Sequence, residues 1–407
     1  MSPARSLNHE IEGLRGLACI MVALSHVFFV TPLDPSVTLP TWLHHMEAGH
    51  AGVLIFFMLS GYVIGWTNFG SWSPAGQHAY LRRRILRLVP IYYVSLALTA
   101  AVSLLLQDSG QVPVLVASAF GLQNLDAYFG LKVNVPLRNS ALWSLNYELL
   151  YYAVFLALWR WQPRLGWIIG PALVATTLSW CAPSAMPVFL GSYSCGWVFW
   201  AAGWQLARLP ERPVGAPPLP VLTWVLLAYA AHEICGVLRI LNALGLHNTD
   251  SGMVSIGNLG LFPPIVLLLA AVSNRQLPYQ GLFSALAWLL CLVPLAGMLW
   301  TGRLWSQPNW VMGGGAVLLA AACLGVRTSG WLRWFGWIGG ISYAFYVVHF
   351  PLLFALERLP LPRGTLLAYS GRVLVWLVLA LALSWFLERH FQAWIRTRFT
   401  PANPIPT

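Results

Sequence analysis

Charge is scarce in this chain. Only 9% of its 407 residues are charged and only 12 are acidic. A soluble globular domain carries about a quarter charged residues, so that class is excluded. Lysine is nearly missing: Lys132 is the one lysine, and the other basic residues are all arginine. The six cysteines (19, 181, 195, 235, 291 and 323) form no Cys-x-x-Cys and no metal-ligand spacing. A disulfide framework or metal centre is therefore not expected, and packed free thiols are. Repeats of 20–50 residues are absent too, which excludes solenoids. The longest polar stretches, 32–49, 107–140 and 208–218, are too short for a soluble domain. The Pro-rich run Pro210–Pro220 and the tail Pro401–Thr407 read as connector and frayed end.

Apolar sequence fills the space. Hydrophobic residues make up 58% and the mean hydropathy is +0.67. Runs of about 18 to 22 apolar residues recur from end to end, each long enough to cross a bilayer as a helix. They fall near 12–31, 50–67, 88–106, 141–160, 165–182, 187–207, 219–241, 256–272, 281–300, 309–326, 338–356 and 366–388. The expected fold is an all-α polytopic bundle of ten to twelve spans in a single domain, 1–407. Arg5, Arg82–Arg84, Arg87, Arg160, Arg164, Arg208, Arg212, Arg275, Arg327, Arg333, Arg389, Arg396 and Arg398 fall on one side of that arrangement. Few, among them Arg138, Arg303, Arg358 and Arg363, fall on the other. The positive-inside rule then puts both termini in the cytosol. The net charge of +11 reads as a topology signal and an attraction to anionic lipid rather than a nucleic-acid footprint. The first apolar run has no small-residue cleavage site and contains Arg15 and His26, so it is expected to be retained.

Ionisable groups inside a span are costly and are functional candidates by default. On a helix, Arg15 and His26 lie three turns plus about 20° apart, on one face and about 16 Å from each other. Glu12 with Arg15 reads as an i, i+3 pair at the membrane boundary. His26 reads either as a satisfied buried histidine or as a general base near neutral pH. His44, His45, Glu47 and His50 follow in a loop, where interfacial polarity explains them better than a metal, because the spacing suits no standard ligand set. Ser60-Gly61 in the second span fits close helix packing. Arg82, Arg83, Arg84 and Arg87, before Pro90 and Tyr92-Tyr93, read as a topology anchor or a grip on phosphates, since guanidinium forks match phosphate oxygens.

In the fourth span Ser144, Tyr147, Glu148 and Tyr151 share a face beside Trp143. A carboxylate there needs a partner, with His26, Arg15 or Arg138 as candidates. Near the end, Ser342, Tyr346 and His349 share a face beside Tyr343. An interfacial Tyr/His belt is the competing explanation for that segment.

Taken together, Arg15-x10-His26, Gly52-Val53 with Phe56-Phe57-Met58-Leu59-Ser60-Gly61, Arg84-x-x-Arg87, Trp143-Ser144-Leu145-x-x-Glu148 and Ser342-Tyr343-x-x-Tyr346-x-x-His349 resemble, in this order, the acyltransferase 3 family of integral membrane acyltransferases. The likeness covers the first 155 residues and about 335–355 most strongly. It implies transfer of an acyl group, usually acetyl, from cytosolic acyl-CoA to a hydroxyl of a glycan, an exopolysaccharide or its lipid-linked precursor. It makes His26 the catalytic histidine, with Arg15 its motif partner and Glu148 beside them. Arg83, Arg84, Arg87 and Tyr92 are expected at the CoA end. Glu12, Ser60, Trp143, Ser144, Tyr147, Tyr343, Tyr346 and His349 are expected around substrate or oxyanion. Two positions depart from the family pattern. The acidic residue usual after Gly-Val is Leu54, and the frequent Glu-Glu pair is Glu148-Leu149.

The implied partners are acyl-CoA (acetyl-CoA as donor substrate), a glycan or lipid-linked glycan acceptor, and the lipids of a bacterial cytoplasmic membrane. Neither metal nor nucleic acid is expected, and self-association stays open. The mechanism is either direct attack with His26 as general base or passage through an acyl-histidine. A second class, a transporter or flippase for a lipid-linked glycan, also uses buried charges in a many-span bundle. A third, a non-catalytic scaffold, would not need His26.

Overall fold

In the computed structural model of the protein the described residues are 8–30, 33–34, 36–40, 43, 48–70, 72–123, 135–183, 186–246 and 252–399. His44, His45 and Glu47 lie outside them. The helices, in chain order, are α1 (His9–Ser25), α2 (Gly49–Thr67), α3 (Pro74–Leu105), α4 (Val112–Ala119) and α5 (Trp143–Leu158). Then come α6 (Leu165–Cys181), α7 (Val188–Leu206), α8 (Val221–Ile234), α9 (Gly236–Ala243) and α10 (Phe262–Val272). The last are α11 (Gln280–Trp300), α12 (Pro308–Ala322), α13 (Ser342–Ala355), α14 (Leu366–Phe386) and α15 (Gln392–Phe399). A π-turn, His26–Val30, directly follows α1, and another, Leu387–Phe391, directly follows α14. No strand occurs among the described residues, only an isolated bridge between Glu211 and Arg275.

Each of the twelve expected apolar runs falls on helix. Among the described residues, seven helices are long and apolar enough to cross a membrane alone, or up to nine if each of two bent pairs makes one span. Five of the twelve runs are not among the seven. The helices Leu165–Cys181 and Ile256–Val272 are shorter, and Val188–Leu206 is not apolar enough to join the seven. The 338–356 run belongs to one bent pair, and α8 and α9 are one run broken by a 40° bend. Cys235, in the left-handed region at φ 51°, makes that break. Helix α3 departs the other way. It starts 14 residues before the apolar run, at Pro74, with Ser73 accepting from Gly76 N–H as its N-cap. Its 32 residues measure about 48 Å, some 18 Å more than a hydrocarbon core. Arg82, Arg83, Arg84 and Arg87 lie in the stretch of this helix ahead of the apolar run.

The chain divides into two compact units. The first comprises residues 1–25, 40–69 and 161–339, and the second 26–39, 70–160 and 340–407.

Small residues hold the first unit together. Gly61 of α2 lies against Trp200 O of α7, and Gly203 of α7 lies against Met58 O of α2, so a methyl group at either would collide with backbone. The reciprocal pair brings the two helices to backbone contact, the close approach that lets helices pack where lipid gives no hydrophobic drive. Ser60 accepts from Trp200 Nε1 at 3.3 Å in the same seam. Gly339 lies against Glu12 O, closing α1 onto the segment before residue 340. Arg275, buried, donates to Leu209 O at 2.7 Å and to Tyr62 Oη at 3.3 Å, and reaches Glu211 at 4.0 Å.

The second unit holds α3, α4, α5, α13, α14 and α15, and its fastenings are side chains bonded to backbone. Two prolines explain two of them. A proline inside a helix lacks the N–H that would bond the carbonyl four residues back. Pro351 in α13 thereby frees Val347 O, and Asn139 Nδ2 fills it at 3.0 Å while also reaching Thr99 Oγ1 at 3.1 Å. Pro90 in α3 frees Leu86 O, and Gln392 Nε2 of α15 fills it at 2.6 Å. In an apolar medium each unfilled carbonyl would cost about 1–3 kcal/mol, which is why the side chains are recruited. Elsewhere Arg138 pairs with Asp108 at 3.2 Å and lies over the Phe354 ring at 4.6 Å.

Candidate functional site

In the second unit the structure brings His26 and His349 together. Nδ1 of His26 stands 2.7 Å from Nε2 of His349. Their ring centres are 5.0 Å apart with planes at 21°, the geometry of two imidazoles joined edge to edge through N–H···N. His26 is the first residue of its π-turn. Such a turn inserts an extra residue per winding, and these turns gather at functional sites. His349 is 1% exposed. Its ring lies parallel to Phe345 at 5.6 Å, and its Nδ1 is 3.0 Å from Phe345 O. Phe350 meets His26 edge-on at 4.9 Å.

One turn before His349, Tyr346 Oη and Ser144 Oγ are 2.6 Å apart. Only one of these hydroxyls donates to the other, so the accepting one keeps its own proton for a further partner. Trp143 packs edge-on against Tyr147 at 5.3 Å, and both are buried. His26, His349, Tyr346 and Ser144 thus sit on α5, α13 and the first π-turn of one unit. Glu148 lies one helical turn beyond Ser144. Tyr152 donates a hydrogen bond to it, and Arg84 stands over the Tyr152 ring at 5.6 Å and the Tyr80 ring at 5.9 Å. Arg138 is engaged with Asp108 instead. Tyr343 donates to Leu88 O at 2.9 Å, tying α13 to α3 just past the arginines.

Arg84 and Arg87 are half-buried, while Arg82 and Arg83 are exposed. Arg84 Nε is buried without a hydrogen-bond partner. Tyr92 donates to Ser118 O at 2.6 Å, with Gln123 Oε1 at 3.1 Å. In the first unit Arg15 Nη1 donates to both carboxylate oxygens of Glu12 at 3.2 Å, as the i, i+3 spacing anticipates. No group of three or more His, Cys, Asp or Glu able to hold a metal occurs among the described residues.

Three residues that sequence reasoning passed over support this site from α14. Trp376 Nε1 donates to the carbonyl of His349 itself at 2.8 Å. Tyr369 Oη donates to Val27 O, the residue after His26, at 3.1 Å. Between them Arg372, 1% exposed, donates to Pro362 O and Leu361 O at 3.0 and 2.8 Å and reaches Leu356 O and Leu33 O at 3.3 and 3.5 Å. The one legible signal was their spacing: 369, 372 and 376 share a face of an apolar helix.

A polytopic helical membrane protein with a histidine pair, one ring buried and the other half-buried, paired hydroxyls and arginines near the start of a long helix fits one class: an integral membrane acyltransferase. The family model described as "Acyltransferase domain" (Acyl_transf_3) matches residues 8–389, and the chain belongs to that family. It is 26% identical over 371 residues to "Putative membrane-bound transacylase BcsY" of Komagataeibacter xylinus, covering 79% of this chain and 90% of that protein. It is also 30% identical over 124 residues to "Exopolysaccharide production protein ExoZ" of Rhizobium meliloti (strain 1021), covering 28% of this chain and 35% of that one. No solved structure matches the chain.

Proposed function

We propose that the protein transfers an acetyl or other short acyl group from cytosolic acyl-CoA to a hydroxyl of a glycan, an exopolysaccharide or its lipid-linked precursor, in a bacterial cytoplasmic membrane with both termini in the cytosol. The observation that carries the reading is the His26–His349 pair, seated beside the Ser144–Tyr346 hydroxyls in a chain of acyltransferase family. The printed name of the Rhizobium meliloti relative, an exopolysaccharide production protein, favours a polysaccharide context.

In this reading the acceptor hydroxyl gives its proton to His26 as its oxygen attacks the thioester carbon. The tetrahedral oxyanion is assigned a hydrogen bond from the Ser144–Tyr346 hydroxyl pair. The C–S bond then breaks, and the CoA thiolate recovers the proton from the imidazolium. CoA phosphates are assigned to Arg83, Arg84 and Arg87. The unfilled Arg84 Nε is the donor an anion would satisfy, and the Tyr80 and Tyr152 rings hold its guanidinium in place. Glu148, through Tyr152, is assigned to keep that arginine oriented.

The test is CoA release by purified protein given acetyl-CoA and a panel of glycan acceptors, wild type beside His26→Ala and Arg84→Ala. The expectation is a loss of about 100-fold or more in kcat for His26→Ala, the usual worth of a general base, and a raised KM for acetyl-CoA in Arg84→Ala. Equal release by wild type and His26→Ala sinks the assignment.

A further inference from the structure

The hydrogen bonds around His349 decide which nitrogen of each ring carries a proton. Phe345 O can only accept, so the contact at His349 Nδ1, 3.0 Å away, requires a proton on Nδ1. The ring is buried among Phe345, Phe350 and Trp376, surroundings that favour the neutral imidazole. A neutral ring protonated on Nδ1 presents a lone pair at Nε2. The 2.7 Å contact to His26 must then be donated by His26 Nδ1–H, which leaves the lone pair of His26 on Nε2.

The donors that hold this arrangement come from α14. Trp376 fixes the carbonyl of His349, and Tyr369 fixes the carbonyl following His26. Both are seven residues apart on one helix, with Arg372 binding Leu33 O and Leu356 O, carbonyls a few residues past His26 and His349 respectively. One rigid helix therefore clamps the backbone at both ends of the imidazole pair.

We propose that His349 is a positioning residue that fixes His26 as the Nδ1–H tautomer, with Nε2 as its basic atom, and that α14 maintains the pair through Tyr369 and Trp376. The assignment rests on the reading of His26 as proton acceptor, and it adds the atom, the partner and the scaffold. Free imidazole side chains in water favour the Nε2–H form, so two Nδ1–H rings in contact are a distinctive signature. As His26 takes a proton at Nε2, its Nδ1–H bond to His349 strengthens. That bond plays the part a carboxylate plays toward histidine in hydrolytic triads.

The first experiment needs no activity. Long-range 1H–15N correlation spectra of histidine-labelled wild type, assigned by the signals lost in His26→Ala and His349→Gln, should show both rings as Nδ1–H tautomers. His26 as Nε2–H, or His349 as imidazolium, overturns the proposal whatever the transfer assay gives. The second experiment reads kinetics. His349→Leu fills the space without an acceptor and should lower kcat about 50-fold with KM for acetyl-CoA within twofold, the scale of losing a ring's orienting partner. His349→Gln, whose carbonyl oxygen can accept from His26, should recover at least fivefold of that loss. Equal kcat in Leu and Gln variants overturns the acceptor role. Trp376→Phe should lower kcat about tenfold alone and add nothing to His349→Leu, whereas an additive loss removes Trp376 from the device. Nδ1–H tautomers in a wild type that transfers no acyl group would leave the positioning intact and refute the transferase reading instead.

Discussion

The two units of this chain solve one problem by different means. Both must bring apolar helices together where lipid competes with every hydrophobic contact. The first removes side chains: Gly61 and Gly203 let α2 and α7 meet backbone to backbone. The second adds donors: Asn139, Gln392, Tyr343, Tyr369, Arg372 and Trp376 each bond a carbonyl of a neighbouring element. Close packing needs only shape, and it leaves a seam that tolerates no added atom. Side-chain donors in low dielectric specify position, because a carbonyl without its donor is expensive. The histidine pair lies in the unit built on donors.

The sharpest way to break the comparison is to add bulk to the first unit. Gly203→Ile drives a branched side chain into Met58 backbone, and a collision that neither helix can relieve is expected to cost more than about 4 kcal/mol. Folded protein should be nearly absent by size-exclusion chromatography in detergent. The same change at Gly170, whose surroundings are open, should leave the yield intact. Next in size is Arg372→Leu in the second unit. It strands carbonyls that the guanidinium satisfied, an expected loss of about 3 kcal/mol, read as a lower thermal midpoint. Arg372→Lys should recover little, because one ammonium cannot reach carbonyls spread as a fork does.

The smallest effect sharpens the contrast through pH. Asp34 lies in the loop that Arg372 grips. Ser36 Oγ at 2.6 Å, Gly364 N–H at 2.8 Å and Ser36 N–H at 3.1 Å donate to its carboxylate. The Ser36 hydroxyl first, then the Gly364 amide, holds this carboxyl below the usual carboxylate range. A depressed folded pKa means stability that is fully present above the unfolded value, about 3.9, and is lost as pH falls through the folded one. The thermal midpoint of wild type should therefore exceed that of Asp34→Ala by a constant margin at pH 6–8. The margin should shrink below about pH 4. A margin unchanged at pH 3 would remove the ionised carboxylate from the account.

Much of the frame was legible because membrane sequence is blunt. Apolar runs marked the helices, and a rare ionisable residue within them, His26, pointed to the candidate site. His349 was visible as one face of a Tyr/His segment, but not as the neighbour of a residue 323 positions away. Prolines at 90 and 351 announced that Leu86 and Val347 would lose a helical donor, since that follows from covalent structure. Which side chain would arrive, Gln392 or Asn139, had no local signature. The partners of Tyr369, Arg372 and Trp376 are backbone carbonyls, which every residue possesses, so pattern alone cannot select them. The π-turn at His26 was hidden for the same reason: its seventeen preceding residues keep ordinary α-helical winding, and only tertiary placement requires the extra residue.

Arg372 also carries a consequence for how the chain is made. It sits six residues inside α14, about 9 Å from the helix start, and must enter the membrane with it. Its carbonyl partners lie at Leu33, Leu356, Leu361 and Pro362, all translated earlier. A guanidinium without those carbonyls would be costly in hydrocarbon, so the seating of the last long helix depends on segments synthesised before it.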